Sequence, residues 1–323
     1  MNANSAAKGR QLDELANGVR AGNRGAIARS ISAVESGGEK GALLLRALRD
    51  LCGRARVYGI TGAPGVGKST LVGALIAELR KRGRSVGIIA VDPSSPISGG
   101  AILGDRVRMT AHTDDDSVFI RSLASRGSTG GLSLAASRAV DVLDAAGFDT
   151  VLIETVGAGQ SEIDVADVAD LTVVTCAPGL GDDVQAMKAG LLEVADVLVV
   201  NKADDPLATV TARQLRSMLA LRQDGRRDVP VLESIATQGK GIGEITDTLD
   251  TLLENFDPKT RAERKRARLK RLLATAAGDL LARKVRRAEA TLLERLCGDV
   301  ASGGMNLEDA ASEILKSDVW RGD

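Results

Sequence analysis

Seven short apolar runs occur along the middle of the chain, and segments of helical length separate most of them. The runs are VYGIT, VGIIAVD, SVFIRSL, TVLIETVG, LTVVTCAP, VLVVNKAD and VPVLESIA. The predicted helices between them cover residues 68–82, 132–146, 183–195 and 209–222. Near-continuous apolar strands that alternate with helices are typical of a mainly parallel sheet with helices on both faces. The pattern therefore predicts an α/β domain over residues 54–258, with ligands at the carboxyl ends of the strands.

Helical patterns flank this predicted sheet on both sides. Residues 1–53 carry apolar positions at helical spacing, which predicts an N-terminal helical extension. Residues 259–323 show no strand pattern, and their first part, residues 259–287, is a strongly basic run with apolar positions at helical spacing. A basic amphipathic helix can bind nucleic acid or a membrane. A helix that packs its apolar stripe and exposes its charges is the simpler interpretation.

Composition excludes several classes of protein. The 43 basic and 43 acidic residues cancel, so no global field steers the chain toward nucleic acid or a membrane. Aromatic residues are only 2 % of the chain, which disfavours a surface that stacks bases. The three cysteines are widely spaced and His112 is the only histidine, so a reducing compartment is expected and a His/Cys metal cage is not. The polar N-terminal residues and the lack of a long apolar run predict a cytoplasmic protein with no transit peptide or membrane span.

A glycine-rich stretch, GAPGVGKST, follows the first predicted strand and opens the first predicted helix. It has the spacing G-x-x-x-x-G-K-[ST] of a phosphate-binding loop. In such a loop backbone N–H groups approach the phosphates, the lysine reaches the β- and γ-phosphates, and the hydroxyl ligates Mg²⁺. The predicted nucleotide contacts here are Gly62, Ala63, Pro64, Gly65, Val66, Gly67, Lys68, Ser69 and Thr70.

The sequence NKAD at residues 201–204 ends the sixth predicted strand and indicates which base is bound. The Asp204 carboxylate can accept hydrogen bonds from the ring N1–H and the exocyclic amine of guanine, whereas adenine has an acceptor at the corresponding ring nitrogen. A carboxylate that faced adenine would be desolvated and unpaired, at a cost of several kcal/mol. GTP or GDP is therefore the predicted ligand. The predicted base contacts are Asn201, Lys202 and Asp204, with Ser234, Ile235 and Ala236 at the next strand end offering a backbone N–H to the guanine oxygen.

Three acidic residues near strand ends are candidates for the metal site. Asp92 ends VGIIAVD, Glu154 ends TVLIE, and Asp105 lies in the loop GGAILGDRVRM. Mg²⁺ keeps several waters and takes one or two carboxylates besides phosphate oxygens. These acids and Ser69 form the predicted metal site, and Gly157 would let its backbone approach the γ-phosphate.

Five motifs occur in an order that resembles the MeaB/ArgK-type GTPases. They are GITGAPGVGKST, AVDPSSPISGGAILGDRVRM, ETVGAGQSE, APGLGDDVQAMKAG and NKADD, within a resemblance from about residue 12 to 258. Members of that family are G-protein chaperones of adenosylcobalamin-dependent acyl-CoA mutases. The resemblance implies a P-loop GTPase that is slow alone and stimulated by the mutase, and that couples GTP hydrolysis to cofactor loading and to protection of the mutase. It also implies a homodimer formed through the C-terminal helices, with an adenosyltransferase as a further candidate partner.

The resemblance also assigns three switch segments. Asp92 and Asp105 match the Mg²⁺-associated acids of the family's first switch. The sequence ETVG at residues 154–157 matches the second switch, with glutamate where many GTPases have aspartate. Residues 177–188 match a third switch that responds to the partner.

A catalytic set follows from the same resemblance. Gln185 and Lys188 are three residues apart on one predicted helix, so both side chains can face one site. A lysine there suits neutralisation of γ-phosphate charge, and a glutamine suits orientation of water. Arg108 is a candidate for an arginine that acts in cis, and Lys68 and Glu154 complete the predicted set.

Alternative functions differ in what they require of the sequence. A metal-delivery GTPase of the nickel or cobalt type would need a His-rich tract or a Cys-x-Cys cluster, and the chain has neither. A kinase would need a base for an acceptor hydroxyl and a lid, and neither is identified. A non-catalytic GTP-gated adaptor differs from a GTPase in multiple-turnover measurements with and without a mutase. The mutase itself is left open, since methylmalonyl-CoA, isobutyryl-CoA and 2-hydroxyisobutyryl-CoA mutases are all compatible.

Overall fold

A computed structural model of the chain describes residues 3–93, 114–125, 131–155, 164–179, 190–221, 228–287 and 290–316. Seven strands in these ranges form one sheet. They are β1 (Arg56–Thr61), β2 (Val86–Pro93), β3 (Val118–Ser125), β4 (Thr150–Thr155), β5 (Leu171–Cys176), β6 (Val197–Val200) and β7 (Val231–Glu233). All neighbouring strands run parallel, in the order β3-β2-β4-β1-β5-β6-β7. Each predicted strand is present, so the predicted parallel α/β fold is confirmed.

Helices precede, separate and follow these strands. Before the sheet lie α1 (Ala3–Arg20), α2 (Arg24–Ser36) and α3 (Glu39–Leu48). Between strands and after β7 lie α4 (Lys68–Lys81), α5 (Gly131–Ala145), the single turn α6 (Leu192–Val194), α7 (Ala208–Ala220) and α8 (Ile242–Asn255). The last part of the chain contains α9 (Pro258–Arg287), α10 (Ala290–Ala301) and α11 (Leu307–Lys316). Short 3-10 turns cover Arg49–Leu51, Val165–Asp167 and Ala236–Gln238. Helical extensions on both sides of the sheet are therefore present, as the sequence predicts.

The chain forms two compact units, Met1–Leu269 and Lys270–Asp323. The first contains the sheet, α1 to α8 and the beginning of α9; the second contains the rest of α9 with α10 and α11. Within the second unit, Arg295 of α10 forms ion pairs with Asp299 and with Glu313 of α11. No helix in the described ranges is both long enough and apolar enough to cross a membrane.

Two apolar layers lie on opposite faces of the sheet, and the side chains of β1 alternate between them. Tyr58 and Ile60 pack in the layer with α4 and α8, whereas Val57 packs in the layer with α1, α2, α3 and α5. Ile27 of α2 and Leu44 of α3 are buried in this second layer. The N-terminal helices therefore share a hydrophobic core with the sheet.

A buried carboxylate joins α8 to the amino ends of β1 and β2. Asp250 accepts hydrogen bonds from Arg56 Nη1 at 2.6 Å, from Tyr58 Oη at 3.0 Å, and from Arg84 Nη1 and Nη2 at 2.9 and 2.6 Å. Burial by itself raises the pKa of the Asp250 carboxyl, but the hydrogen bonds and charges of its partners, Arg84 foremost, hold that pKa below its usual value. The Asp250 cluster lies at the sheet edge opposite the phosphate-binding loop, which follows the carboxyl end of β1.

Asp250→Ala is expected to destabilise the protein by about 2–3 kcal/mol. It removes the acceptor of the buried Tyr58 hydroxyl and the counter-ion of the partly buried Arg84, while Arg56 keeps its ion pair with Glu254. Asp247→Ala is a matched control on the same helix, since Asp247 is largely exposed and, in the described ranges, pairs with Arg82 alone, at 2.6 Å. Its expected cost is below about 1 kcal/mol. Urea unfolding at pH 7 measures both. The lowered pKa of Asp250 means that its contribution is complete above about pH 4 and is lost as the pH falls through the lower folded-state pKa. Equal costs for the two variants would contradict the role given to the cluster.

Two arginines at the start of α9 bind carboxylates at the amino ends of β5 and β6. Arg264 forms an ion pair with Asp196 and stacks over the Phe256 ring, 4.6 Å from its centroid. Arg268 Nη1 lies 3.0 Å from Asp170 Oδ1. These charges of the basic run are therefore neutralised within the first unit.

Candidate functional site

The glycine-rich loop lies between β1 and α4, and its backbone packs too closely on its neighbours for side chains at two positions. A Cβ on Gly62 would lie 2.1 Å from the Thr175 carbonyl oxygen, and a Cβ on Gly67 would lie 2.5 Å from Asn201 Nδ2. Both glycines have positive φ, 140° and 93°. The loop therefore needs glycine at these positions for space and for conformation, and it ends at the N-terminus of α4, as a phosphate cradle requires.

Lys68 is buried within this loop. Its Nζ donates hydrogen bonds to the carbonyl oxygens of Gly62 at 2.6 Å and Ala63 at 3.0 Å, and the residue is 7 % exposed. These contacts hold the ammonium group over the loop, where the loop sequence predicts phosphate oxygens.

Oxygen donors of the kind that Mg²⁺ prefers lie next to the loop. Ser69 Oγ, in the first turn of α4, donates a hydrogen bond to Glu154 Oε1 at 2.5 Å. Glu154 is fully buried on β4, where it is paired with Ile60 of β1. A hydroxyl and a carboxylate beside a phosphate cradle fit the donor set of a magnesium site, so the residues present suit the metal that the sequence predicts.

Other predicted site residues are only partly described. Asp92 lies on β2, one residue beyond Val91, which pairs with Thr155 of β4; its backbone is thus at the same sheet edge as Glu154, and its side chain is outside the described residues. The remaining predicted residues outside the described ranges are Asp105, Arg108, Gly157, Gln185 and Lys188.

Asn201 connects the phosphate loop to the loop after β7. Its Nδ2 donates to the Val66 carbonyl oxygen at 3.0 Å, while its Oδ1 accepts from Ser234 Oγ and from the Ala236 backbone N–H, both at 3.2 Å. The side chain is buried. One amide group therefore fixes the predicted phosphate contacts and the predicted base contacts relative to each other.

Lys202 makes a second connection to the phosphate loop. Its Nζ donates to the Gly65 carbonyl oxygen at 2.9 Å, and its φ of 58° is positive, which is rare for a residue with a side chain. Such strain costs about 1–3 kcal/mol and is concentrated at functional sites. The backbone turn at Lys202 is therefore typical of a ligand-binding loop.

Asp204 and Asp205 differ in what their carboxylates do. Asp205 Oδ1 accepts a hydrogen bond from the Leu207 backbone N–H at 2.8 Å and so holds the turn before α7. Asp204 is exposed, and no group in the described part of the chain donates to its carboxylate. The Asp204 carboxylate is thus available to a ligand, whereas the Asp205 carboxylate stabilises the turn before α7.

Backbone N–H groups after β7 all have partners inside the protein. The Ser234 N–H donates to the Val200 carbonyl at 2.9 Å, and the Ile235 N–H donates to the Lys240 carbonyl at 3.1 Å. The Ala236 N–H makes the longest of these bonds, 3.2 Å to Asn201 Oδ1. Of the three groups, the Ala236 N–H is the one that donates to a side chain, so a guanine oxygen could share it without breaking a backbone–backbone hydrogen bond.

One contact at this edge involves residues that the sequence analysis did not single out. Thr155 Oγ1 donates to Thr61 Oγ1 at 3.2 Å, and both threonines are buried. Thr61 directly precedes the phosphate loop and Thr155 directly follows Glu154. The position of each threonine beside a motif residue is the only sequence signal, and it is weak because threonine is common in strands.

Comparisons with known proteins show which proteins the chain is similar to. Residues 27–290 match the family model of the methylmalonyl-CoA mutase-associated GTPase MeaB. A Pyrococcus abyssi protein named as a GTPase is 44 % identical over 320 residues, which cover 96 % of this chain and 98 % of that protein. The GTPase ArgK of Escherichia coli is 39 % identical over 243 residues, 72 % of this chain and 73 % of that protein. The mitochondrial methylmalonic aciduria type A homolog of Mus musculus is 34 % identical over 259 residues, 74 % of this chain and 62 % of that protein.

A solved structure shares the fold over nearly the whole length. The crystal structure of an LAO/AO transport system kinase superposes with a TM-score of 0.68 at 25 % identity, and the match covers 98 % of this chain and 99 % of that one. The family match includes every nucleotide-site residue named above, since these lie between residues 62 and 236.

Proposed function

The chain belongs to the MeaB family of methylmalonyl-CoA mutase-associated GTPases, and we propose that it hydrolyses GTP to gate the loading of adenosylcobalamin onto an acyl-CoA mutase and to protect that mutase. The observation that supports a switch of this kind is the bridge made by Asn201. Its amide contacts the phosphate loop at Val66 and the base loop at Ala236. A nucleotide that contacts both loops would therefore stabilise one arrangement of the two loops at the carboxyl edge of the sheet.

Phosphates and metal would be held by the loop and the acids around it. The N–H groups at the start of α4 and the Lys68 ammonium would bind the β- and γ-phosphates. Ser69 and Glu154, with Asp92 and Asp105, would hold Mg²⁺ directly or through water. Bound there, the metal would neutralise charge on the phosphate oxygens.

Hydrolysis would be slow in the isolated protein because the third switch has to be positioned by the partner. Gln185 would orient the attacking water, and Lys188 would neutralise charge that develops on the γ-phosphate. Arg108 would neutralise the same charge as an arginine that acts in cis. A mutase that binds one arrangement of the third switch more tightly would couple its own binding to transition-state stabilisation.

The proposal includes a homodimer in the cytoplasm, with an adenosyltransferase as a second partner. Support for the dimer comes from α9, on which Leu269, Leu273 and Leu280 are 48 %, 68 % and 57 % exposed. Their spacing of four and seven residues places them on one face of the helix. Burial of that face against a second copy would remove these side chains from water.

Mutase-stimulated turnover tests the proposed function. Multiple-turnover kcat with GTP is measured with and without methylmalonyl-CoA, isobutyryl-CoA and 2-hydroxyisobutyryl-CoA mutases, for wild type and Lys188→Ala. One of the mutases is expected to raise the wild-type kcat, up to about 10³–10⁵-fold for a fully positioned cation. Lys188→Ala should lose most of this increment while it still binds GTP and the mutase.

Two results would contradict this account. Equal stimulation of wild type and Lys188→Ala would remove Lys188 from activation. A mutase that binds the GTP form tightly without raising turnover would favour a GTP-gated adaptor over a mutase-activated GTPase.

A further inference from the structure

The last two residues of β4 contact both ends of the phosphate loop from opposite faces of the sheet. Glu154 faces α4 and accepts the hydrogen bond of Ser69, just after the loop. Thr155 faces the other side, because side chains alternate along a strand, and it donates to Thr61, just before the loop. β4 thus contacts the residues that flank the loop on both sides.

These two contacts differ in how they would respond to a ligand. Ser69 and Glu154 belong to the proposed metal site, so their mutual hydrogen bond has to change when the metal is bound. Thr61 and Thr155 are 0 % and 1 % exposed and lie on the face that carries Val57 and Ile153 rather than α4. Their hydrogen bond can therefore persist with and without nucleotide.

We propose that Thr155 is a positioning residue for GTP hydrolysis, which acts through Thr61 to hold the start of the second switch at a fixed place relative to the phosphate loop. This inference rests on the proposed function. Gly157, whose backbone is expected at the γ-phosphate, is only two residues beyond Thr155. Loss of the hydrogen bond would let β4 shift against β1 at this point, and a small misplacement of a group at the reacting phosphate lowers the rate of the chemical step more than it lowers affinity.

Thr155→Val tests the inference, because valine keeps the shape of threonine and removes its hydroxyl. We expect kcat for GTP to fall by about tenfold, with KM and the affinity for GDP within about twofold of wild type. Thr155→Ser keeps the hydroxyl and should restore kcat. Thr61→Val should reproduce the loss, and the double variant Thr61→Val/Thr155→Val should be no slower than either single variant, because both remove the same hydrogen bond.

Thr246→Val is the matched control for a purely structural effect. Thr246 is a fully buried threonine on α8 whose Oγ1 donates to the Ile242 carbonyl of the same helix at 2.9 Å. Its replacement should lower Tm and leave kcat unchanged. If Thr155→Val lowered Tm in the same way and left kcat unchanged, the inference would be overturned. A failure of Thr155→Ser to restore kcat would also overturn it. If the wild-type protein bound GTP but did not hydrolyse it, the proposed function would be overturned, and this inference would fall with it.

Discussion

Lys68→Ala is expected to abolish measurable GTP turnover, with a loss of about 10³-fold in kcat or more. In the structure the Lys68 ammonium is held over the phosphate loop by two carbonyl oxygens of that loop, at 2.6 and 3.0 Å. The proposed transition state places additional negative charge on the phosphate oxygens there, and alanine removes the buried cation that would meet it. Phosphate release from GTP in the presence of Mg²⁺ measures the effect.

Lys81→Ala is the matched control for this prediction. Lys81 is the last residue of the same helix, its side chain is 76 % exposed, and its only ion pair in the described ranges is a 3.9 Å contact with Glu78. Its replacement should leave turnover at the wild-type level. If Lys68→Ala kept its GTP turnover and its Tm were unchanged, the loop would not be the phosphate-binding site.

Asp204→Asn is expected to change which base is bound. The variant should lose about 10²-fold or more in affinity for GTP, since two hydrogen bonds to a charged acceptor are worth about 3 kcal/mol or more. It should gain affinity for xanthine nucleotides, because the asparagine amide can donate to the xanthine oxygen that replaces the guanine amine. Competition binding with GTP, XTP and ATP, on wild type and variant, measures both changes.

Asp205→Asn is the neighbouring control with the same change of chemistry. Asp205 binds the Leu207 N–H, which an asparagine oxygen can also do, so the preference for GTP should be retained. If the nucleotide preference of both variants shifted toward xanthine nucleotides, or if neither preference did, Asp204 would not be the residue that determines base specificity.

The parallel sheet, and the edge at which the candidate site residues meet, were predictable from the sequence. In a parallel sheet every strand is a continuous apolar run, and every carboxyl end lies at the same edge. Lys68, Glu154 and Asn201 each follow or end such a run. Their convergence therefore follows from topology, even though they are far apart along the chain.

Contacts between these strand ends were not predictable in the same way. Asn201 binds the Val66 carbonyl across 135 positions of sequence, and its partner is a backbone group whose residue type carries no signal. Thr61 and Thr155 are 94 positions apart, and a hydroxyl in a strand usually indicates only β-propensity. Which of the two strand faces carries each side chain, and how closely β1 and β4 approach, decide whether such residues touch.

The packing partners of the N-terminal helices were also not predictable from the sequence. Helical spacing indicates that residues 1–53 form helices with an apolar face, but it does not indicate what covers that face. In the structure Ile27, Ile31 and Leu44 share a layer with α5 and the sheet. An amphipathic pattern specifies that a face is buried, and tertiary packing specifies its partner.

The most direct test of the account is multiple-turnover hydrolysis by the wild-type protein with GTP and with ATP, in parallel, with Mg²⁺ and with the mutase that stimulates it. We expect slow phosphate release from GTP alone, faster release from GTP when the mutase is present, and no comparable release from ATP in either case. Equal rates with ATP and GTP would contradict the assignment of this sheet edge as a guanine-nucleotide switch.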